Sequence, residues 1–251
     1  MTFSAIIPAR FGSSRFPGKP LALLCGTPVI WHVYQQVSKA IDDVYVATDD
    51  ERIFNIVTEF GGKVVMTSAN HRSGTDRIIE AVEKLDCQSD VIINVQGDEP
   101  FIAPSQIETL KSIFVGNPST EIATLGKRFD TIEAAENPNS PKIAVAKDGR
   151  ALYFSRSVIP YIRGEERHNW LSHYPFLKHI GIYAYRRDVL LRIKHLDASP
   201  LEIAESLEQL RWLENEMIIR VGLTDTETIG IDTPDDLARA EEYLVKIQNS
   251  R

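Results

Sequence analysis

The sequence predicts an α/β fold in which helices cover both faces of a mostly parallel sheet. Short apolar runs alternate with segments of helical period through the first half of the chain, and that alternation is typical of parallel sheets. The predicted strands are residues 4–7, 44–47, 63–66 and 91–95. Ligands of such sheets bind beyond the carboxyl ends of the strands, so the segments that follow strands are the candidate sites.

The helices predicted between these strands carry boundary signals in the sequence. Thr27 is the predicted N-cap of the first helix, with Pro28 at its first position. Ser73 or Thr75 is the predicted cap of the third helix, and a glycine pair ends the second. The three helices lie near residues 30–41, 51–60 and 75–85.

The second half of the chain is less regular. A Pro- and Asn-rich break at residues 136–141 precedes a predicted strand pair, and residues 163–174 are predicted to be an exposed excursion. We treat residues 1–251 as one domain, with approximately 127–178 as an inserted β-rich segment. The remaining predicted elements are strands at 142–146, 151–154, 179–185 and 218–221, and helices near 188–194, near 203–215 and after Pro234.

Composition excludes several classes of protein. The net charge of −7 argues against non-specific nucleic-acid binding, which relies on basic surface. No apolar run approaches the ~20 residues needed to cross a bilayer, and no signal peptide is evident. Cys25 and Cys87 form no CxxC pair and are expected to be reduced and partly buried rather than in a disulfide or metal site. We therefore expect a cytoplasmic protein.

A cationic loop directly after the first strand is the strongest functional signal. Residues 10–20 contain Arg10, Arg15 and Lys19 among glycines and serines. Backbone N–H groups and these cations suit a triphosphate, although the spacing is neither a P-loop nor a dinucleotide fingerprint. The alternative is a surface turn whose cations are solvated. The number of cations and small residues directly after the first strand favours the phosphate-binding loop over that alternative.

Three further segments carry candidate site residues, and each also fits an ordinary structural role. The turn at residues 71–77 could contact a base, but by pattern alone it is better explained as a capped helix start. Asp98 follows a strand and a glycine, where a carboxylate could hold Mg²⁺, or it belongs to a turn closed by Pro100. By pattern alone, Asp232 or Thr233 is better explained as a helix cap.

Taken together, the motifs resemble the 3-deoxy-D-manno-octulosonate (Kdo) cytidylyltransferases, or CMP-Kdo synthetases. The likeness runs in order over essentially the whole chain, with minor departures at Phe16, at Ser140-Pro141 and in residues 163–174. The matching segments are residues 7–10, 15–21, 46–49, 73–77, 94–100, 151–156, 179–183, 208–211 and 230–234.

The resemblance implies a Mg²⁺-dependent nucleotidyltransferase that joins CTP to Kdo for lipopolysaccharide biosynthesis. It implies a Rossmann-like nucleotidyltransferase sheet with a smaller β-rich dimerisation subdomain, hence a homodimer. Asp98 and Asp232 would hold the metal, and Arg10, Lys19 and these two acids would be the catalytic residues. The implied nucleotide-binding residues are Ala9, Arg10, Gly12, Ser13, Arg15, Lys19, Ser73, Gly74, Thr75, Arg77, Gln96 and Asp98.

The resemblance also implies a set of sugar-binding residues. Arg156 would pair with the Kdo carboxylate, and the others would contact its hydroxyls. Without the resemblance, His179 and Tyr183 are better explained as core-lining residues, Glu208 and Gln209 as a solvated helix face, and Arg156 as a structural cation. The implied set is Gln96, Arg156, His179, Tyr183, Glu208 and Gln209.

Other functions remain open at this level. The same chemistry could act on another acidic sugar, such as an 8-amino Kdo analogue or a sialic acid. A nucleotide-sugar glycosyltransferase would need an Asp-x-Asp motif that residues 96–98 do not supply. A non-enzymatic nucleotide-binding regulator would have no need of both carboxylates and all three loop cations.

Overall fold

A computed structural model describes residues 1–13, 15–71 and 73–249 of the chain. The chain forms two compact units, one made of residues 1–108 and 228–251 and the other of residues 109–227. The strands are β1 Phe3–Ala9, β2 Leu23–Leu24, β3 Thr27–Pro28, β4 Val44–Thr48, β5 Lys63–Met66, β6 Val91–Asn94, β7 Ile122–Arg128, β8 Lys142–Val145, β9 Ala151–Ser155, β10 Leu177–Arg186 and β11 Ile219–Leu223.

Helices follow most of these strands. They are α1 Val29–Val37, α2 Glu51–Glu59, α3 Gly74–Lys84, α4 Pro104–Gly116, α5 Ile132–Glu136, α6 Trp170–His173, α7 Arg187–Ile193, α8 Pro200–Glu205, α9 Gln209–Glu214 and α10 Pro234–Asn249. Among the described residues, no helix combines the length and the apolar character that crossing a membrane requires.

The first unit contains the parallel sheet that the sequence predicts. Its strands lie in the order β5-β4-β1-β6, and every pairing between them is parallel. All four residues of β6 are buried, as expected for a strand covered on both faces. The carboxyl ends of β1 and β6 lie side by side, which brings the segments after them to one edge.

The helix boundaries in this unit agree with the sequence in two cases and differ in one. Ser73 caps α3 through a capping box with Asp76, and α2 ends at Glu59, just before the predicted glycine pair at 61–62. The predicted Thr27 cap of α1 is wrong. Thr27 lies in β3, which pairs with β2 in a hairpin, and Pro28 occupies the cap position without a side-chain hydrogen bond.

The second unit is built around antiparallel strands. β10 pairs with β7 and β8, β8 pairs with β9, and only β11 runs parallel to its neighbour β7. The predicted strand pair at 142–146 and 151–154 is therefore confirmed as β8 and β9. A bulge between Ile180 and Tyr183 interrupts the register of β10 with β7.

Two sequence expectations in the second unit are corrected. The helix predicted near 203–215 is two helices, α8 and α9, because Ser206 takes a left-handed conformation at φ 51° and ends the first. The segment 163–174 is not wholly exposed, since the Trp170 side chain is 1% exposed and its ring stacks on Phe176. Cys25 and Cys87 are both free thiols; Cys87 is half-buried, whereas Cys25, which was expected to be partly buried, is exposed.

Candidate active site

A cavity of about 330 Å³ lies at the carboxyl edge of the first unit's sheet. Gly12 and Thr75 do not line it, and Thr75 is buried at 2% exposure. Ser14 and Arg72, part of the predicted loop and turn, lie outside the described residues. The predicted residues that line the cavity are Ala9, Arg10, Ser13, Arg15, Lys19, Ser73, Gly74, Arg77, Gln96, Asp98 and Asp232.

The loop after β1 is held in shape by a close approach at Gly18. Gly18 has φ 71°, and its N–H donates to the Phe11 carbonyl at 2.9 Å. A Cβ at Gly18 would meet the Phe11 ring at 2.9 Å, so only glycine fits there. The Arg52 guanidinium stacks over the same ring, 3.4 Å from its centroid. The loop is thus anchored to the start of α2.

Lys19 joins the two carboxylates that were predicted as metal ligands. Its Nζ contacts Asp98 in a short ion pair and lies 3.1 Å from Asp232 Oδ1. Arg15 Nη2 lies 3.0 Å from the other oxygen of Asp232. The two carboxylates therefore converge on the Lys19 ammonium, and Arg15 adds a second positive charge beside Asp232.

A backbone hydrogen bond brings Asp232 to Asp98. The Ile231 N–H donates to the Asp98 carbonyl at 2.9 Å. Asp232 is not used as the helix cap, because Thr233 and Asp236 bond each other at the start of α10. Burial would raise the pKa of Asp236, but hydrogen bonds from Thr233 and the Asp232 backbone outweigh it and lower that pKa. The Asp232 carboxylate is left to face the cavity.

Gly97 allows the turn before Asp98 to approach β1. A Cβ at this position would lie 2.6 Å from the Pro8 carbonyl oxygen, a clash with backbone that cannot move freely. The glycine is therefore required by the packing of the turn that carries Gln96 and Asp98.

Arg77 lines the cavity while two inner groups hold its guanidinium. Nη2 lies 2.7 Å from Asp49 Oδ2, and Nη1 donates to Thr67 Oγ1 at 2.6 Å. The Arg77 side chain is only 4% exposed. Asp49 was not predicted as a site residue, although an acid directly after β4 is the signal that could have identified it.

His71 lines the cavity, although the sequence pointed to it only as the first residue of the turn at 71–77. Its Nε2 contacts the Glu80 carboxylate in a short bond, and Lys84 pairs with the same carboxylate at 2.8 Å. Burial would raise the pKa of Glu80, but bonds from Lys84, the Ser68 N–H and His71 lower it to about 2. Glu80 is thus an ionised anchor for His71.

In the second unit, His179 presents a neutral imidazole. Its Nε2 lies 3.1 Å from Thr124 Oγ1, and that hydroxyl can donate to the Ile182 carbonyl at 2.8 Å. With the hydroxyl donating to the carbonyl, Nε2 is assigned as the protonated nitrogen and Nδ1 as the acceptor. Although part of the residue reaches the surface, burial of the ring beside Phe154 and Tyr183 lowers the pKa of His179 to about 3.

Tyr183 and Gln209 carry buried polar atoms without hydrogen-bond partners among the described residues: Tyr183 Oη and Gln209 Nε2. Burial raises the pKa of Tyr183, and the nearby Tyr185 and Glu208 charges add to that rise. Glu208 Oε1 accepts a bond from Arg211 at 2.9 Å. An unsatisfied buried group costs about 1–3 kcal/mol, so a polar ligand would relieve a real penalty here.

Arg156 is held by main-chain carbonyls. Its Nε donates to Glu205 O at 2.6 Å, Nη1 to Pro138 O at 2.9 Å and Nη2 to Ser206 O at 3.3 Å. A guanidinium has five N–H groups, so one remains on each Nη atom. Of the predicted sugar-side set, the second unit contains Arg156, His179, Tyr183, Glu208 and Gln209, whereas Gln96 lines the cavity of the first unit.

A model of the cytidylyltransferase family matches residues 4–220. The chain belongs to this family. Curated relatives named 3-deoxy-manno-octulosonate cytidylyltransferase are similar over nearly the full length. The Phocaeicola vulgatus protein is 60% identical over 97% of this chain and 98% of its own. The Bacteroides thetaiotaomicron protein is 57% identical with the same coverage. The resemblance inferred from the motifs is confirmed.

Solved structures give the same picture for this cytidylyltransferase. A CMP:2-keto-3-deoxy-manno-octonic acid synthetase complexed with CTP has a TM-score of 0.91 and 42% identity, over 98% of this chain and 99% of that one. A 4-diphosphocytidyl-2C-methyl-D-erythritol synthase from Anaerococcus prevotii, at 15% identity and TM-score 0.62, shares the fold. The predicted α/β nucleotidyltransferase fold is confirmed.

Proposed function

We propose that this cytidylyltransferase transfers CMP from CTP to the anomeric hydroxyl of Kdo, giving CMP-Kdo and pyrophosphate for lipopolysaccharide biosynthesis. The observation that carries the proposal is the cavity of the first unit, where three loop cations face two convergent carboxylates. That arrangement suits a triphosphate with a divalent cation. The names of the full-length relatives favour CTP and Kdo as the substrates.

The loop cations would bind the triphosphate. Arg10 and Arg15 are exposed at the cavity, and Lys19 is 14% exposed. Phosphate oxygens would replace the carboxylates as partners of Arg15 and Lys19, so negative charge on the departing pyrophosphate meets donors already in place. Such transfers depend on positioning and charge neutralisation more than on covalent help.

Asp98 and Asp232 fit a Mg²⁺ ion that enters with the nucleotide. Both carboxylates contact the same ammonium, so they converge on one cation position, and carboxylate oxygens suit Mg²⁺. Among the described residues no group of three or more ligating side chains is present, which favours phosphate oxygens as further ligands. When bound, Mg²⁺ would polarise the α-phosphate and lower the pKa of the attacking hydroxyl.

The turn at the start of α3 would contact the cytosine side of the nucleotide. Ser73 and Gly74 line the cavity beside Arg77, which Asp49 and Thr67 hold in one orientation. A guanidinium fixed in this way offers its remaining N–H groups to a carbonyl or phosphate oxygen without first losing rotamer freedom.

The second unit would supply the sugar contacts. Arg156 keeps one N–H on each Nη, which matches the two oxygens of the Kdo carboxylate. His179 Nδ1 can accept from a hydroxyl, and the unpartnered Tyr183 Oη and Gln209 Nε2 can bond hydroxyl oxygens. Glu208, beside Tyr183, offers an acceptor for a further hydroxyl.

Pyrophosphate release tests the proposal and its rivals together. Each NTP is paired with Kdo, an 8-amino Kdo analogue or a sialic acid, with and without Mg²⁺. We expect release only with CTP, Kdo and Mg²⁺. Equal rates with another acidic sugar would reassign the substrate, and no release with CTP and Kdo would remove the proposed reaction. A glycosyltransferase would release no pyrophosphate from CTP.

We also propose that the protein is a homodimer that uses the β-rich segment 127–178. Leu152 and Tyr161 lie in this segment with exposures of 61% and 72%, so both side chains are available for an interface. Sedimentation equilibrium should give twice the chain mass, and the double variant Leu152→Glu, Tyr161→Glu should reduce that mass to the monomer's.

The cytoplasm, where CTP is supplied, is the proposed location.

A further inference from the structure

Lys142 is a fully buried lysine that the proposed chemistry does not use. Its side chain has 0% exposure at the start of β8. A buried ammonium is costly unless hydrogen bonds and a counter-charge compensate for lost hydration. Burial lowers the pKa of Lys142, and the negative charge of Glu205 opposes that effect. A group with this cost is expected to have a specific task.

The Lys142 ammonium bonds two main-chain carbonyls. Nζ donates to Arg156 O at 2.6 Å and to Asn137 O at 2.9 Å. The residue after Asn137 is Pro138, whose carbonyl accepts from the Arg156 guanidinium. Lys142 and Arg156 thus bind the consecutive carbonyls of Asn137 and Pro138. Lys142 also binds the main-chain carbonyl of Arg156 itself.

Glu205 binds the main-chain N–H of Arg156, whereas Lys142 binds its main-chain carbonyl. The Glu205 carboxylate accepts from the Arg156 N–H at 2.9 Å and from Ser155 Oγ at 2.7 Å. The Glu205 carbonyl accepts from Arg156 Nε at 2.6 Å. The Arg156 backbone is therefore bonded at its N–H by an anion and at its carbonyl by a cation.

We propose that Lys142 and Glu205 are positioning residues that clamp the main chain of Arg156, so that its two remaining N–H groups stay aligned for the substrate carboxylate. The inference rests on the proposed function, because it assigns Arg156 to the acidic sugar. Neither residue touches the substrate. Their contribution is the alignment of a fork whose geometry decides how well a planar carboxylate binds.

The test separates sugar binding from stability. Lys142→Met keeps the side chain's length and removes its charge and donors. Pyrophosphate release is measured with Kdo varied at saturating CTP and with CTP varied at saturating Kdo. We expect the KM for Kdo to rise about tenfold, since a ~1 Å misplacement can cost up to 100-fold, and the KM for CTP to stay within about twofold. A purely structural role would not divide the two constants in this way.

Lys178→Met is the matched control. Lys178 is the direct cross-strand partner of Lys142 on β10, but it is 28% exposed and pairs with Glu227. Its loss should leave both KM values unchanged. An equal rise in the KM for Kdo in both variants would assign the effect to loss of charge in general and overturn the proposal.

Glu205→Gln covers the case in which Lys142→Met does not fold. It keeps the side chain's size but removes the counter-charge and one acceptor, and it should also raise the KM for Kdo selectively. A folded variant of either residue with an unchanged KM for Kdo overturns the proposal, and so does loss of folding in both, which indicates a purely structural role. If the wild-type protein releases no pyrophosphate from CTP and Kdo, the proposed function fails instead.

Discussion

We expect acid to weaken the folded protein measurably through His179. The pKa of this imidazole falls from the ordinary value of 6.5 to about 3 because the folded ring is buried. In the unfolded chain the ring binds a proton below about pH 6.5, whereas in the folded chain it stays neutral. The stability tied to the neutral ring is therefore complete above pH 6.5 and is lost progressively as the pH falls toward 3.

The size of the effect follows from these two values. At pH 5.5 the protonated form of the unfolded histidine exceeds the neutral form about 10:1. Protonation then stabilises the unfolded state by RT ln 11, or about 1.4 kcal/mol. At pH 7.5 the corresponding stabilisation is below about 0.1 kcal/mol. The protein should therefore lose about 1.4 kcal/mol of unfolding free energy from this residue between pH 7.5 and pH 5.5.

The assay compares the wild type with His179→Gln in urea unfolding at both pH values, followed by circular dichroism and tryptophan fluorescence. Other titrating groups are common to both proteins and cancel in the difference. The drop between pH 7.5 and 5.5 should be about 1.4 kcal/mol smaller in the variant. An equal drop in both proteins would show that the folded imidazole takes up a proton as readily as the unfolded one and would refute the reasoning.

Three further variants test the first unit. Asp98→Asn should lower turnover by about 100-fold or more at an unchanged circular dichroism spectrum, since it removes a charge from the proposed metal site; turnover within about twofold of wild type would exclude that role. Asp49→Asn leaves the buried Arg77 without its counter-charge. The melting temperature should fall, because breaking a buried ion pair typically costs about 3–5 kcal/mol. The KM for CTP should rise, while the KM for Kdo should not. Gly97→Ala places a Cβ 2.6 Å from the Pro8 carbonyl oxygen and should lower the melting temperature. Gly116→Ala is the control, because a Cβ at Gly116 meets nothing within 4 Å, and it should leave the melting temperature unchanged. Equal melting temperatures for the two variants would contradict this account.

Much of the first unit's fold could be predicted because its signals are local. The alternation of apolar strands with helical segments requires only neighbouring residues, and the Ser73 cap needs only Asp76, three positions further on. The Thr27 prediction failed because the β2–β3 hairpin competes for that residue. The single helix predicted near 203–215 failed at Ser206, whose left-handed backbone is not evident from its residue type.

The sequence by itself determined the succession of strands and helices along the first half of the chain and the cationic loop after β1. Through its combined motifs it also determined the family. Only the tertiary structure decided which partners the charged groups take. Asp232 meets Asp98 through the Ile231 N–H, Arg77 is committed to Asp49, and Lys142 and Glu205 hold Arg156. These pairings join residues far apart in sequence, and their strength depends on burial and on angles between donors and acceptors, which exist only once the chain has folded.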